Sequence, residues 1–367
     1  MPDNRLLIIT GEKSGLDAVL PAIEKLGDTE LKSIRLIAPD YSNTREIIRS
    51  NITIPSINNL EFTKNILLDY SGVLIKIIKY IQQEQITDIL FVDNPDFNLL
   101  IARLLYRKVR MYYYIIPQVW AWREYRVKYL KRYFQKLFVI FPFEVDLLKR
   151  FGIQSRFVGH PVFERTIEGI DPKEIRKNLK ISGKKRVISL FPGSRENVLK
   201  RHYQLFEDIA LLLSEKLPDF KIVFSDIRNH HRGKRGKIIY TDAPSLHLLK
   251  ISDFSIISSG STTMEATFSN IPFIGIYKPD ILTYTTARFL LRIDTTIMPN
   301  ILLGERFIPE IVGPYLTHND VLDKIINLID NQSQLNIIRK KLQAVSNMFN
   351  GLSTSDIMSQ EIRKILN

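Results

Sequence analysis

Short runs of consecutive apolar residues alternate with longer stretches whose apolar positions recur every three to four residues. Leu6–Thr10, Ile34–Ala38, Ile89–Val92, Met111–Ile116 and Lys136–Ile140 are near-continuous apolar runs, the pattern of strands buried on both faces. Between them, Ala18, Ile23 and Leu26 keep helical spacing, as do Ile66, Leu67, Tyr70, Leu74, Ile77, Ile78 and Ile81. The stretch Glu164–Lys185 is polar and has no strong strand. The alternation then restarts with Arg186–Phe191, a helix over Arg201–Lys216, and strands at Ile222–Phe224, Ile238–Tyr240, Phe254–Ile257 and Phe273–Tyr277. Helical patterns over Asn319–Asp330, Ser333–Met348 and Thr354–Leu366 close the chain. Such strand–helix alternation predicts an α/β fold with two parallel sheets. The expected domains are 1–170 and 171–350, with the helix 351–367 packing back on the first.

The turns after the strands carry the candidate chemistry, because open α/β sheets bind ligands at the carboxyl ends of their strands. Gly11-Glu12-Lys13-Ser14-Gly15 follows the first strand, and Glu12 has no packing duty there. Pro192-Gly193-Ser194-Arg195 follows a strand of the second half, and the guanidinium fork of Arg195 suits a diphosphate. Ser258-Ser259-Gly260-Ser261-Thr262-Thr263-Met264-Glu265 leads from a strand into a helix. Thr262 or Thr263 is expected to cap that helix, whose free N–H groups would seat a phosphate. Glu265, one turn in, is placed to accept hydrogen bonds from ribose hydroxyls.

Asp93, Asn94, Asp96 and Asn98 crowd the turn after Ile89–Val92; Pro95 stiffens it, and Asn98 is a candidate cap. Two carboxylates so close would raise the pKa of one and suit it to proton transfer. They could also hold a divalent cation. A base is preferred, and no metal is expected, because no His or further acid joins the cluster locally. Both tryptophans, Trp120 and Trp122, sit two apart beside Arg123 and Arg126, a surface for a sugar, an acyl chain or a phosphate. At that spacing on a strand end they would point to opposite faces, leaving at least one near the edge. His160, between Gly159 and Pro161, is structural or lines a cleft where the first sheet ends.

The totals narrow the field. A chain of 367 residues with 45% hydrophobic content suits two moderate domains. It has no cysteine, so disulfides and thiolate catalysis are excluded. The net charge of +13 fits anionic substrates or an anionic membrane surface. The densest basic stretch, Arg228–Lys237, lacks interleaved aromatics, so no nucleic-acid partner is expected and it reads as a solvated loop. Met1–Arg5 runs straight into Leu6–Ile9, too short for a signal core. The most apolar helix, Ile66–Ile81, is interrupted by Asp69, Lys76 and Lys79, so a soluble or peripheral protein is expected. Neither glycine loop has the Gly-x-x-x-x-Gly-Lys pattern of a nucleotide hydrolase, and neither domain has a full dehydrogenase fingerprint.

These motifs, in this order, resemble the lipid-A-disaccharide synthase family of GT-B glycosyltransferases. The matching segments are Gly11-Glu12-x-Ser14-Gly15, Asp93-x-Pro95-Asp96-Phe97-Asn98, Pro117-x-Val119-Trp120-Ala121-Trp122-Arg123, Gly159-His160-Pro161, Pro192-Gly193-Ser194-Arg195, Ser259–Glu265 and Pro299-Asn300-Ile301-Leu302. The resemblance implies two Rossmann-like domains facing a cleft. It implies transfer from UDP-2,3-diacylglucosamine to 2,3-diacylglucosamine 1-phosphate, giving a β-1,6 disaccharide and UDP without a cofactor. Carried over by position, Asp96 is the leading base, with Asp88 a weaker helper and Glu12 a further acid of the same half. Gly193, Ser194, Arg195, Gly260, Ser261, Thr262, Glu265 and Asn300 would hold UDP. Ser14, Gly15, Trp120, Trp122, Arg123 and His160 fall on the acceptor side. Peripheral contact with the inner membrane from the cytoplasm is implied, and a homodimer is among the partners expected. The alternatives are another GT-B enzyme, acting on a lipid-linked sugar or epimerising a UDP-sugar, and a non-catalytic relative. Two positions depart from the family pattern: Leu16 stands where an Asp is usual, with Asp17 next, and Val198 stands where an acid is common.

Overall fold

The computed structural model describes residues 4–38, 48–49, 52, 64–167, 169, 171–228, 233–291 and 293–367. These fall into two compact units, one of Met1–Pro161 with Gly351–Asn367, the other of Val162–Asn350. The chain therefore leaves the first unit at Pro161, earlier than the polar crossing at residue 170. The reason is the helix Pro161–Ile167: Phe163 packs its ring on Phe268 at 5.1 Å and on Phe349 at 6.1 Å, both in the second unit. The polar stretch beyond it forms a second short helix, Pro172–Asn178, capped by Asp171.

The first unit is built on seven strands: β1 (Leu6–Thr10), β2 (Ile34–Ile37), β3 (Ile48–Arg49), β4 (Asp88–Val92), β5 (Arg110–Tyr114), β6 (Lys136–Val139) and β7 (Ser155–Phe157). Their order is β3-β2-β1-β4-β5-β6-β7, parallel throughout. This is the doubly wound order, in which the chain reverses direction between β1 and β4 and opens a crevice above them. Alternate residues of β1 feed two cores: Leu7 and Ile9 face Phe91, Tyr113 and Leu137, while Leu6 and Ile8 face Leu16, Val19 and Ile23. The amphipathic helix Lys64–Gln83 buries Ile77 and Ile81 in the first core and leaves Lys76 and Lys79 exposed; the side chains of Ile66, Leu67, Asp69 and Tyr70 lie outside the described residues.

The final helix, Thr354–Leu366, belongs to the first unit because Met358, Ile362 and Ile365 complete the second core. Its Glu361 is 2% exposed and is held by Lys136 at 2.5 Å, by Lys364 at 2.9 Å and by Arg156. Burial alone would raise the Glu361 pKa, but the two lysines outweigh it and the carboxyl titrates below its ordinary value. Gly159 has φ +86, and a Cβ there would lie 2.7 Å from Thr354 Oγ1. Only glycine lets the returning segment approach so closely.

The second unit holds β8 (Arg186–Phe191), β9 (Phe220–Ser225), β10 (Gly233–Arg235), β11 (Ile238–Thr241), β12 (Phe254–Ser258), β13 (Phe273–Tyr277) and β14 (Glu310–Val312). The order is β10-β11-β9-β8-β12-β13-β14, with β10 antiparallel to β11. The direction reverses between β8 and β12. The basic stretch is thus partly an edge hairpin rather than wholly a loop, turning at Gly236 with φ +62, while Asn229–Arg232 lie outside the described residues. Among the described residues no helix is long and apolar enough to cross a membrane.

Candidate active site

In each unit the strand reversal brings two of the motif loops together. β1 and β4 are adjacent and in register, Thr10 opposite Val92, so the Gly11–Gly15 loop and the Asp93–Asn98 turn leave the same edge side by side. A Cβ on Gly11 would sit 1.8 Å from Asn94 Nδ2, so the Asn94 side chain occupies the space that only glycine leaves open. Asp93 and Asn94 both take left-handed backbone angles, φ +51 and +44. The turn is tied down by its own carbonyl: Asp93 O accepts from Tyr113 OH at 2.6 Å and from Asn98 Nδ2 at 2.5 Å. Asn98 is therefore a buried staple inside the helix Pro95–Leu105, and Asn94 is the residue at its N-cap. Glu12 and Ser14 stand at the start of the helix Lys13–Ile23, Ser14 exposed and Gly15 buried, where a Cβ would lie 3.5 Å from Val92 O. Leu16, one of the departures from the family pattern, is fully buried in the core, which leaves Asp17 as the nearest carboxylate on that turn.

Asp96 projects from the first turn of its helix and is 39% exposed. Instead of repelling a second carboxylate it is held by two cations, Arg126 and Arg123, the latter at 3.1 Å. Arg126 is 6% exposed, and a guanidinium that far from water needs this counter-charge. Arg123 lies over the Trp122 ring at 4.0 Å, with Arg126 5.9 Å from the same ring. Trp122, both arginines and Asp96 thus form one cluster. Both tryptophans are half-buried and lie on a loop, not a strand, so the opposite-faces expectation does not apply.

Asp88 does not belong to this group. It opens β4, at the amino end of the strand, with Asp96 beyond the carboxyl end. Fully buried, it pairs with Arg110 at 2.6 Å and accepts from Thr87 at 2.7 Å. Its role as helper to Asp96 is corrected: Asp88 ties β4 to β5 at the opposite edge of the sheet.

Trp120 reaches a residue that the motifs did not single out. Its Nε1–H donates to Glu144 Oε1 at 3.2 Å, and the Phe141 N–H donates to Oε2 at 3.1 Å. Glu144 is 2% exposed, and burial outweighs these two donors to raise its pKa to about 7. His160 is also buried, its ring 5.4 Å from Phe141, and burial lowers its pKa to about 3. It is a neutral core imidazole, the structural side of the two readings.

Glu144 gives a pH prediction with a definite sign. Its folded pKa lies above the ordinary value of 4.5, so the folded state holds the proton more tightly. That contribution is present below pH 4.5 and is lost as pH rises to about 7, about 3 kcal/mol in all. His160 runs the other way, favouring the folded state once pH exceeds its ordinary 6.5. Denaturant titrations at pH 4.5 and 7 should show this Glu144 contribution as the difference between the native chain and Glu144→Gln; identical pH slopes in the two would remove it.

In the second unit the Pro192–Arg195 loop leaves β8 and the Ser259–Thr262 loop leaves the adjacent β12. They touch: a Cβ on Gly193, φ +110, would lie 3.0 Å from Ser258 Oγ and 2.7 Å from Val198 Cγ1. Val198, the second departure, therefore packs over Gly193. Ser194 and Arg195 are exposed at the start of the helix Glu196–Lys216. Glu196 turns to Lys200 at 3.2 Å and Arg228 at 3.7 Å. The loop's backbone is fixed by His202, another residue the motifs omit. Lys278 N–H donates to its Nε2 at 2.8 Å, so Nδ1 carries the proton toward Pro192 O at 3.3 Å. Burial keeps this ring neutral, with a pKa of about 4.

Gly260 is exposed with φ +156, and nothing lies within 4 Å of where its Cβ would be. The helix after it, Thr262–Phe268, has only seven residues and Ser261 at its N-cap; Thr263 bonds back to Gly260 O at 2.7 Å instead of capping. Glu265 is 7% exposed, and burial raises its pKa, opposed by the Ser245 hydroxyl that donates to Oε2 and by Arg165. The loop is braced from the far side: Ser259 Oγ meets Thr296 Oγ1 at 2.8 Å, and Glu310 accepts from Thr295 Oγ1 at 2.8 Å and Thr296 N–H at 3.1 Å. Beside this brace lies a cavity of about 420 Å³ lined by Thr295, Asn300, Arg306, Ile308 and Glu310.

Asn300 forms a wall of that cavity without offering it a free amide. Its Oδ1 accepts from Ile308 N–H at 2.9 Å and its Nδ2 donates to Ile308 O at 2.9 Å. At 1% exposure the side chain is spent on the backbone, so its assignment to UDP is corrected to a structural one. Asn300→Ala leaves that buried N–H and C=O unmade and is expected to cost about 2–3 kcal/mol of stability. Urea unfolding measures this; a loss below about 0.5 kcal/mol would contradict it.

The sequence profile of a family described as lipid-A-disaccharide synthetase matches residues 62–362. The lipid-A-disaccharide synthase of Geobacter sulfurreducens is 30% identical over 292 residues, 76% of each chain. Among solved structures, the UDP-GlcNAc 2-epimerase of Neisseria meningitidis bound to UDP-GlcNAc superimposes with a TM-score of 0.65 at 14% identity, covering 98% of this chain and 100% of that one. The glycotransferase of kitacinnamycin gives 0.64 at 15% identity, with 100% of both chains covered. At such identities these two likenesses speak for the fold alone.

Proposed function

Because the chain belongs to the lipid-A-disaccharide synthase family of glycosyltransferases, we propose that it joins UDP-2,3-diacylglucosamine to 2,3-diacylglucosamine 1-phosphate and releases UDP. The observation that carries this reading is the meeting of the Pro192–Arg195 and Ser259–Glu265 loops at the strand reversal of the second unit. There the Arg195 guanidinium neutralises the diphosphate leaving group, and Gly260 lets the backbone approach it. Glu265 accepts from the ribose hydroxyls once the ligand displaces Ser245.

The first unit supplies the acceptor chemistry. Asp96, at the corresponding reversal between β1 and β4, takes the proton from the sugar hydroxyl as that oxygen attacks the anomeric carbon. The C–O bond to UDP breaks as the new glycosidic bond forms, with inversion. Arg123 and Arg126 fix the carboxylate, and Trp122 carries the stack that orients Arg123. Glu12 and Ser14 border the same edge. The substrates are lipids, and the +13 net charge supports a peripheral position on the cytoplasmic side of an anionic membrane.

The purified chain, given both acylated substrates, should release UDP and yield a disaccharide phosphate by mass. Release of no UDP with either ester- or amide-linked acyl substrates would remove the proposal. An epimerised UDP-sugar as the product would replace it with the epimerase reading.

A further inference from the structure

A second basic site lies at the amino edge of the first sheet, the edge away from Asp96. The turn after the helix Pro95–Leu105 places Tyr106 between two guanidiniums: Arg107 is 5.3 Å and Arg132 5.2 Å from its ring centroid. Tyr133 packs its ring on Tyr106 at 5.4 Å. Together with Arg110 and Phe134 these side chains line a pocket of about 180 Å³. Arg110 is already neutralised by Asp88 at 2.6 Å. Arg107 and Arg132 are exposed, and among the described residues neither pairs with a carboxylate. Arg107, which lines the pocket, adopts φ +67, a backbone angle that arginine rarely takes.

Two guanidiniums without a carboxylate partner among the described residues, both hydrogen-bonded to the Tyr106 hydroxyl, beside a second phenol and an apolar floor, match a phosphate group. Each guanidinium forks onto two phosphate oxygens, and the phenols donate one hydrogen bond each. We propose that the Tyr106–Arg107–Arg132–Tyr133 pocket is an anion site for a phosphate group, separate from the motif loops. The same chemistry is presented by the headgroup of an anionic phospholipid and by free phosphate.

The test is equilibrium binding of the full chain to two probes: phosphatidylglycerol–phosphatidylcholine vesicles, and orthophosphate followed by calorimetry. Arg107→Ala with Arg132→Ala should weaken binding about 30-fold to whichever probe the native chain binds. Arg107→Lys with Arg132→Lys should fall between the two, because a lysine keeps the charge and loses the fork. Loss confined to vesicles assigns the site to lipid headgroups, and loss confined to orthophosphate assigns it to the free ion. A native chain that binds neither probe, an alanine pair that binds as the native chain does, or a lysine pair equal to the native chain would each overturn the pocket; the last would mean diffuse charge attraction. Both arginines are exposed, and unchanged thermal melts establish that the variants fold.

Discussion

Asp96→Asn is expected to lower the rate of sugar transfer by about 10²- to 10⁴-fold, the range for a lost general base. The substitution keeps the size of the side chain and keeps an oxygen for Arg126 and Arg123, but removes the charge and the proton acceptor. A carboxylate that served only to hold the arginines would leave most of the rate in place, because an amide oxygen still accepts their hydrogen bonds. Single-turnover rates with UDP affinity measured in parallel separate the two: the proposal requires the chemical step to fall while UDP binding is unchanged. The variant should also lose some stability, since Arg126 is buried and would face an amide instead of a counter-ion. Asp96 is partly exposed, so solvent screening holds that loss to about 1–2 kcal/mol. A rate within tenfold of native would sink the assignment.

Arg195→Ala is expected to reduce kcat/KM for the UDP-sugar by about 10²- to 10³-fold, as when a donor that stabilises developing charge is removed. Arg195 is exposed at the start of a helix, so melting should hardly change. Arg195→Lys should recover only part of the loss, because a point charge replaces a fork that grips two oxygens. An unchanged kcat/KM in the alanine variant would shift the diphosphate site away from this loop.

The motifs were legible because their chemistry is local. Gly193 with Arg195 after an apolar run, or Gly260 before a helical pattern, can be recognised without knowing what lies beside them. The residues that hold these loops were not legible. His202 is one helical histidine among many polar positions until the fold sets its ring against Pro192 O and Lys278 N. Glu144 resembles any acidic residue in a first turn until burial, only partly offset by the Trp120 donor, makes it a carboxyl that titrates near 7. Asn300 and Asp88 show the converse. Both sit in matching or neighbouring segments, and both are taken up by contacts with backbone or arginine that sequence spacing does not encode.

Hydrophobic period alone determined that this chain is α/β, where most of its strands begin and end, and that it comprises two sheets, because side-chain burial on a strand or helix follows a fixed local repeat. Strand order was decided only in three dimensions. It is the order, with reversals between β1 and β4 and between β8 and β12, that sets Gly11 against Asn94 and Gly193 against Ser258. Those pairs are distant along the chain, and their meeting depends on which strands share a hydrogen-bonded edge, a choice made by the packing of the whole sheet.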